Sequence, residues 1–506
     1  MTTQRLSTRW VGFFAGLTVF ALFAVAPPLS DMPRPAQLTA STALLMACWW
    51  ITEAVPVAVT GLVPLVLLPL LGVMPAAAIS APYANKTNFL FLGGLIIATA
   101  VERWDLHRRI SLNIIAAFGS SVAALVLGFM VATAAISMWI SNSATTMMML
   151  PIALAVVDHY KDHDPRLGRE LGPALMLAVA YSATIGGLGT IVGTPPNAVF
   201  VGAFAQLFPR APEIGFLQWM MVGVPLVVVL VPLAWFYLVR VATSIGAEKA
   251  VTDPELIRAR IRELGSMRVP EKRVLLLFCA TAALWLTRRE LLIGGITVPG
   301  WASLLPVPSM VGDSTVAIAM AMILFLVPAG DGSGARLLDW EWAVKLPWGV
   351  IVLLGGGFAL AEAIKSSGLA VWIGTTLAWV GSSPPLVSIL VISLTISLLT
   401  EITTNTAITT IMMPILAASA VAAGCDPLLL MVPCALAASL CFMMPSGTAP
   451  NAIVFSGGDL SVAFMARTGV GLNLLAVLLV TAVTYLLAVP ALGIRVVGLP
   501  AWAGGG

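Results

Sequence analysis

From Trp10 to Ala26 the chain carries no charged residue, and apolar runs of this kind recur as far as residue 492. A bilayer core takes about 20 apolar residues of helix to cross. Repeated runs of that length therefore commit the chain to lipid. Clear candidates occupy 10–26, 38–52, 55–74, 218–239, 274–287, 314–328 and 470–492. Runs near 88–102 and 348–364 each contain a Gly-Gly pair, read as a break, and end in charge. Two stretches, 120–158 and 385–423, are too long for one helix and hold a polar cluster at the middle. Two more, 172–204 and 427–456, begin as helices and then break at Gly, Thr, Pro and Asn. The pattern predicts an all-α polytopic membrane protein of about 11 transmembrane helices plus two re-entrant hairpins. Only 10% of the 506 residues are charged, against about 25% in soluble domains. That excludes a soluble enzyme or nucleic-acid binder, and a net charge of +3 is too small to attract polyanions.

The five cysteines (Cys48, Cys279, Cys425, Cys434 and Cys441) form no C-x-x-C and lie in or beside apolar runs, as small core residues do. The three histidines, His107, His159 and His163, fall in polar connections, and no cluster has metal-ligand spacing. Arg5 and Arg9 followed by an apolar run ending Ala24-Val25-Ala26 resemble a signal peptide, but Pro27 disfavours cleavage and a retained first span is expected. Basic residues orient the chain. Arg5, Arg9, Arg103, Arg108, Arg109, Lys161, Arg166 and Arg169 fall on one side of the eleven-span arrangement. So do the seven basic residues of the loop 241–273, which reads as a solvated amphipathic linker helix. That side is cytoplasmic by the positive-inside bias, with the N-terminus inside and the C-terminus outside. Arg210, Arg288, Arg289 and Lys365 are exceptions.

An internal repeat organises the apolar runs. Leu92-Gly93-Gly94 returns as Leu354-Gly355-Gly356. Ser141-Asn142-Ser143-Ala144-Thr145-Thr146, followed by Pro151, returns as Thr404-Asn405-Thr406-Ala407-Ile408-Thr409, followed by Pro414. Gly193-Thr194-Pro195-Pro196-Asn197-Ala198 returns as Gly447-Thr448-Ala449-Pro450-Asn451-Ala452. Gly94 to Asn142 spans 48 positions and Gly356 to Asn405 spans 49. Five spans separate equivalent points, so the copies are predicted to be inverted, as in secondary transporters whose site lies at the bilayer midplane.

Polar backbone at membrane depth is tolerated only when buried in protein or lining a watery cavity. One such cluster could be interhelical glue; two matched clusters, each with its own Gly-Thr-x-Pro-Asn break, point to a site. An Asn side chain offers an acceptor oxygen and donor N–H groups together. Where a helix stops and restarts, its carbonyl end favours a cation and its amide end an anion. Asn142 and Asn405 sit at such tips, so the pair reads as a neutral cradle for an anion flanked by two small cations. Pro195, Pro196 and Pro450 break the helices, and Gly193 and Gly447 allow close backbone approach. Four carboxylates lie in or beside apolar runs: Glu53, Glu102, Glu362 and Glu401. Such groups are functional candidates, although each could also cap a helix or lie near an interface.

By these motifs the chain resembles the divalent-anion/sodium symporters, the family of sodium-coupled dicarboxylate, citrate and sulfate transporters. The likeness runs over nearly the whole chain and rests on Trp50-Ile51-Thr52-Glu53-Ala54-Val55-Pro56, Ser141-Asn142-Ser143, Thr400-Glu401 leading to Thr404-Asn405-Thr406, and the two Gly-Thr-x-Pro-Asn breaks. That family carries Ser-Asn-Thr at each tip; the changes here keep hydroxyls. The resemblance implies an elevator-type homodimer in the cytoplasmic membrane. Its scaffold helices would be 1–87, 218–347 (with the linker 241–273) and the last span and tail 470–506, and its transport segments 88–217 and 348–469. It implies one sodium site at Ser137, Ser141, Asn142 and Gly193, and a second at Thr400, Thr403, Asn405 and Gly447. The dianion would meet Ser141, Asn142, Ser143, Thr404, Asn405 and Thr406, with Thr194 and Thr448 beside it. Sodium is the expected co-transported ion, with no organic cofactor, no enzymatic chemistry and no nucleic-acid partner. The expected function is sodium-coupled symport of small divalent anions, foremost C4-dicarboxylates such as succinate. A sodium-independent dicarboxylate exchanger and an anion channel are the alternatives.

Overall fold

The computed structural model describes residues 2–27, 31–118, 121–243, 245, 254–293, 296–381, 383–458 and 460–504. Glu248, Lys249 and Asp253 of the expected linker lie outside them, as does the side chain of Arg5. The chain opens with α1 (Thr2–Val25) and α2 (Arg34–Thr52), which pack together, and the short α3 (Val57–Thr60), α4 (Val63–Leu70) and α5 (Ala76–Ser80). Next come α6 (Lys86–Arg103), α7 (Leu106–Ala117), α8 (Val122–Ser137), α9 (Asn142–His163), α10 (Pro165–Gly187), α11 (Pro195–Leu207) and α12 (Phe216–Tyr237). The middle holds α13 (Pro254–Glu263), α14 (Val269–Leu286), α15 (Asp313–Leu326) and the single turn α16 (Trp340–Ala343). The series closes with α17 (Trp348–Ser366), α18 (Leu369–Gly381), α19 (Pro385–Leu399), α20 (Asn405–Ala422), α21 (Leu428–Ala437), α22 (Ala449–Phe455), α23 (Val462–Val483) and α24 (Val489–Leu492).

The structure departs from the expectation in several places. The run 55–74 is not one helix: Pro64 cannot continue the turn above it, and the chain divides into α3 and α4. The Gly-Gly pairs do not break their helices; α6 and α17 run straight through them. Those glycines serve close approach instead. A Cβ on Gly93 would lie 2.6 Å from the Ala317 Cβ of α15, and one on Gly356 would collide with the Gly61 carbonyl. The linker helix is confined to α13 within the described part of 241–273. Finally, a two-stranded antiparallel ribbon, Leu291–Ile293 with Ile296–Val298, interrupts the all-helical pattern.

Charge marks the two ends of the bundle. At one end Lys86 pairs with Glu213 at 2.6 Å, Arg289 also pairs with Glu213, and Arg288 meets Asp313 at 2.5 Å. At the other, Arg103 pairs with Asp339 at 2.7 Å, and Arg109 and Arg268 each reach Glu271 at 2.6 Å. Helices α6, α14 and α15 run between these belts. The 18 residues of α6 rise about 27 Å at about 1.5 Å each, close to the thickness of a hydrocarbon core. Between the belts the outward faces are apolar. Within Phe216–Ala242 the most apolar 18 residues have a mean hydropathy of 2.4, yet only 50% of them are buried. Half of an apolar helix left facing outward is costly in water and costless in lipid. Of the basic residues that broke the positive-inside bias, Arg288 and Arg289 are ion-paired, and Lys365 donates to the Leu207 carbonyl at the end of α11 at 3.1 Å.

Candidate functional site

Each polar cluster falls where a helix ends and another begins. In the first half, α8 stops at Ser137 and α9 starts at Asn142. Nearby, α10 stops at Gly187 and α11 restarts at Pro195. In the second half, α19 and α20 turn between Thr400 and Thr404, and the α21–α22 break spans Ala438 to Thr448. Each tip packs on its own break, and the halves interlock: α9 packs against α22, and α20 against α11. Beside the second break a hydrogen bond crosses between them, from the Tyr181 hydroxyl on α10 to the Phe442 carbonyl at 2.9 Å.

Both breaks are held open by an Asn. Asn197 Nδ2 donates to the Gly187 carbonyl at 3.0 Å and the Thr190 carbonyl at 2.8 Å. Asn451 Nδ2, 254 positions on, donates to the Cys441 carbonyl at 3.2 Å and the Met444 carbonyl at 3.0 Å. These staples satisfy carbonyls that a helix would otherwise pair. The sequence placed both residues in a repeated motif but gave them no task. Their recurrence four residues after Gly193 and Gly447 was the available signal.

At each tip the oxygens outnumber the protons. Ser137 Oγ lies 2.8 Å from Asn142 Oδ1 and 2.7 Å from the Ala183 carbonyl. Thr400 Oγ1 lies 2.6 Å from Asn405 Oδ1 and 2.9 Å from the Ala438 carbonyl. A hydroxyl has one proton to give, so in each triplet one acceptor goes without. Three crowded oxygens sharing one proton suit a hard cation, which takes several oxygen ligands at once. Asn142 Oδ1 is also where a Cβ on Gly187 would intrude, at 2.6 Å, so glycine leaves that face clear. Around the second tip Thr403 Oγ1 and Thr404 Oγ1 are buried without a partner, as are Ser439 Oγ and Asn451 Oδ1; Asn197 Oδ1 is the counterpart in the first half. Buried polar atoms without partners are uncommon and costly. Of the twelve such atoms among the described residues, these five lie at the tips and breaks the sequence singled out.

The remaining candidates sit around these triplets. Ser141 and Thr404 are the N-cap residues of α9 and α20, and Ser141 Oγ accepts from Ala144 N at 3.3 Å. Ser143 and Thr406 are half-buried in the first turns. Thr194 and Thr448 are the N-caps of α11 and α22; Thr448 Oγ1 accepts from Asn451 N at 3.3 Å, whereas Thr194 makes no cap bond. Gly193 and Gly447 are both buried. The amides of Asn142 and Asn405 meet no acceptor among the described residues, and so remain available as donors. No group of three His, Cys, Asp or Glu could hold a metal among the described residues. The donors at the tips are neutral oxygens, and the helix N-termini beside them supply the positive potential.

Of the four carboxylates, Glu53 ends α2 in the left-handed region, exposed, and Glu362 accepts from Gln206 Nε2 at 2.6 Å. Glu102 is half-buried near the end of α6. Glu401 is 4% exposed and lies between the second tip and its break. A separate cavity of 360 Å³ opens at the Lys86 end, lined in part by Phe204, Glu213 and Asp313, and includes none of the paired-motif residues.

The family model described as "Sodium:sulfate symporter transmembrane region" matches residues 7–490. A sodium-dependent dicarboxylate transporter of Staphylococcus saprophyticus is 43% identical over 492 residues, 96% of this chain and 92% of that protein. The protein of the same name from Staphylococcus aureus is 41% identical over the same shares. Among solved structures, the Alcanivorax borkumensis YdaH transporter superposes with a TM-score of 0.56 at 15% identity, covering 90% of this chain and 98% of that one. Neisseria gonorrhoeae MtrF gives 0.55 at 12% identity, covering 94% and 97%. At such identities these two likenesses concern the fold alone.

Proposed function

Because the chain belongs to the sodium:sulfate symporter family, we propose that it is a secondary active transporter of the cytoplasmic membrane. It couples sodium to the uptake of a small dianion, a C4-dicarboxylate such as succinate. The observation that carries this reading is the matched pair of oxygen triplets at Ser137/Asn142/Ala183 and Thr400/Asn405/Ala438, each short of a proton. The relatives' names supply the ion and the class of anion.

In this reading Ser137, Ser141, Asn142 and Gly193 hold one sodium. Thr400, Thr403, Asn405 and Gly447 hold the other. Each Asn turns its carbonyl oxygen to the cation and its amide to the anion, so one side chain serves both ligands. The anion's carboxylates meet Ser141, Ser143, Thr404 and Thr406, with Thr194 and Thr448 near the break. No Lys or Arg side chain bonds to either unit among the described residues, so the dianion's charge is balanced by bound cations and helix N-termini. A dianion without sodium then meets no cationic side chain, and two sodium ions without a dianion leave uncompensated positive charge at membrane depth. Each ligand favours the other, which is what symport requires.

The two halves act as inverted repeats. The segments 88–217 and 348–469 move as an elevator against scaffold helices from 1–87, 218–347 and 470–506, in a homodimer. The end bearing Arg103, Arg109 and Arg268 faces the cytoplasm together with the N-terminus, and the C-terminus lies outside. No chemical transformation and no organic cofactor enters this cycle.

Uptake of labelled succinate into proteoliposomes, with an inward sodium gradient and with potassium replacing sodium, tests the reading. Sodium-stimulated accumulation is expected. Counterflow that persists in potassium alone points to exchange, and no uptake of succinate, citrate or sulfate in either condition refutes transport of dianions. Asn142→Ala and Asn405→Ala should each weaken both the sodium and the anion dependence. A variant that keeps wild-type sodium activation denies that Asn its double role.

A further inference from the structure

The two halves fasten tip to break by opposite means. In the first half the fastener belongs to the break: Thr190 Oγ1 donates to the Met138 carbonyl of the tip at 2.5 Å and accepts from Gly193 N at 3.0 Å. Met138 corresponds to Glu401, 263 positions on, and Thr190 to Met444, 254 positions on. In the second half the fastener therefore belongs to the tip. Glu401 Oε1 accepts from Phe442 N at 2.9 Å and Met443 N at 3.0 Å, and Oε2 accepts from Met444 N at 2.9 Å. The Cys441 thiol donates at 3.1 Å and Asn473 Nδ2 of α23 at 2.8 Å.

A neutral hydroxyl performs this task in the first half, so fastening alone does not call for a carboxylate. Glu401 is 4% exposed, and no Lys or Arg pairs with it among the described residues. A buried, unpaired charge is expensive to keep. It sits one residue from Thr400, whose hydroxyl anchors the proton-short triplet, and its Oε2 lies 3.3 Å from the place a Cβ on Gly447 would take.

We propose that Glu401 is a positioning residue for the second cation site: it holds the Cys441–Met444 turn against the tip and sets a fixed negative charge beside that site. The two sodium sites are thereby unequal. The second binds more tightly and fills first, and its occupancy neutralises the local charge before the dianion arrives. This rests on the proposed sodium-coupled function.

The test compares sodium activation of succinate uptake, and sodium-dependent thermal stabilisation of the purified protein, in wild type and two variants. Glu401→Gln removes the charge at nearly constant shape. The double variant Glu401→Met with Met444→Thr transplants the first half's neutral fastener, and so restores the joint without the charge. Both are expected to raise half-saturating sodium at least tenfold while uptake recovers at saturating sodium. A folded variant with wild-type half-saturation overturns the proposal, as does a uniform loss of maximal rate with half-saturation unchanged. Failure of both variants to fold counts against it too, because the carboxylate would then be a structural element. If wild-type uptake ignores sodium, the functional reading itself fails, which is a distinct result.

Discussion

Replacing Thr400 with Val removes one hydroxyl and almost nothing else. Thr400 is fully buried, and Val keeps its branched shape. Without sodium the variant loses one net hydrogen bond, to Asn405 Oδ1 or to the Ala438 carbonyl, worth about 1 kcal/mol. With sodium bound it loses a ligand oxygen; taking hydrogen bonds to charged groups as the yardstick, that costs about 1.5–3 kcal/mol. Apparent affinity senses only the difference, about 0.5–2 kcal/mol, or roughly 2- to 30-fold by the rule that about 1.4 kcal/mol is tenfold. The assay is a sodium titration of succinate uptake in proteoliposomes. Half-saturating sodium should rise by roughly tenfold, with maximal uptake regained when sodium saturates. Sodium-dependent thermal stabilisation should shift along the same concentration axis, since a ligand that binds only the folded state stabilises according to its dissociation constant. Ser137→Ala should do the same through the first triplet. If both variants titrate as wild type does, the triplets are not where sodium binds.

The staples answer to a different measurement. Asn197→Ala and Asn451→Ala each strand two buried carbonyls and should lower the unfolding temperature by an amount equivalent to about 1–3 kcal/mol, with uptake reduced at every sodium concentration. At the Lys86 end, burial pushes the Glu213 carboxyl up, but Lys86, Arg289 and Arg288 outweigh it and hold its pKa below the usual 4.5. A depressed carboxylate stabilises the fold above its unfolded pKa and loses that contribution as pH falls through the folded value. Thermal stability should therefore drop as pH falls below about 4.5, and Glu213→Gln should flatten that part of the profile; an unchanged slope would show that the belt contributes nothing. At the opposite end Glu271 is 1% exposed and held by Arg109 and Arg268. Breaking a buried pair costs about 3–5 kcal/mol, so Arg109→Ala should approach the lower end of that range because Arg268 remains, read as a smaller yield of monodisperse protein.

Much of the site was legible because its signals are local. A polar triplet inside an apolar run, or a Gly-Thr-x-Pro-Asn break, stands out against its neighbours whatever the rest of the chain does. Ser137 and Thr400 entered only through the family resemblance, and it is the structure that bonds them to Asn142 and Asn405. The Gly-Gly pairs misled, because glycine within an apolar run reads alike whether a helix breaks or another backbone presses on it. Only the contact of Gly93 with Ala317 and of Gly356 with Gly61 decides between the two. Helices α7 and α18 escaped the count of membrane runs. They follow equivalent helices in the two halves, starting at Leu106 and Leu369, and are too short to announce themselves by hydropathy.

The sequence by itself determined the solvent, the approximate order of the helices and the two doubled breaks. Hydropathy and helix-breaking chemistry act over a turn or two of chain. Tertiary structure alone decided which oxygens share a proton and where the buried Glu401 carboxyl beside them lies. The Ser137 triplet is completed by Ala183, 46 residues away, and the Thr400 triplet by Ala438, 38 away. The donors to Glu401 lie between 40 and 72 positions further on. Proton shortage and charge compensation depend on atoms within about 3 Å in space, and separation along the chain does not encode that distance.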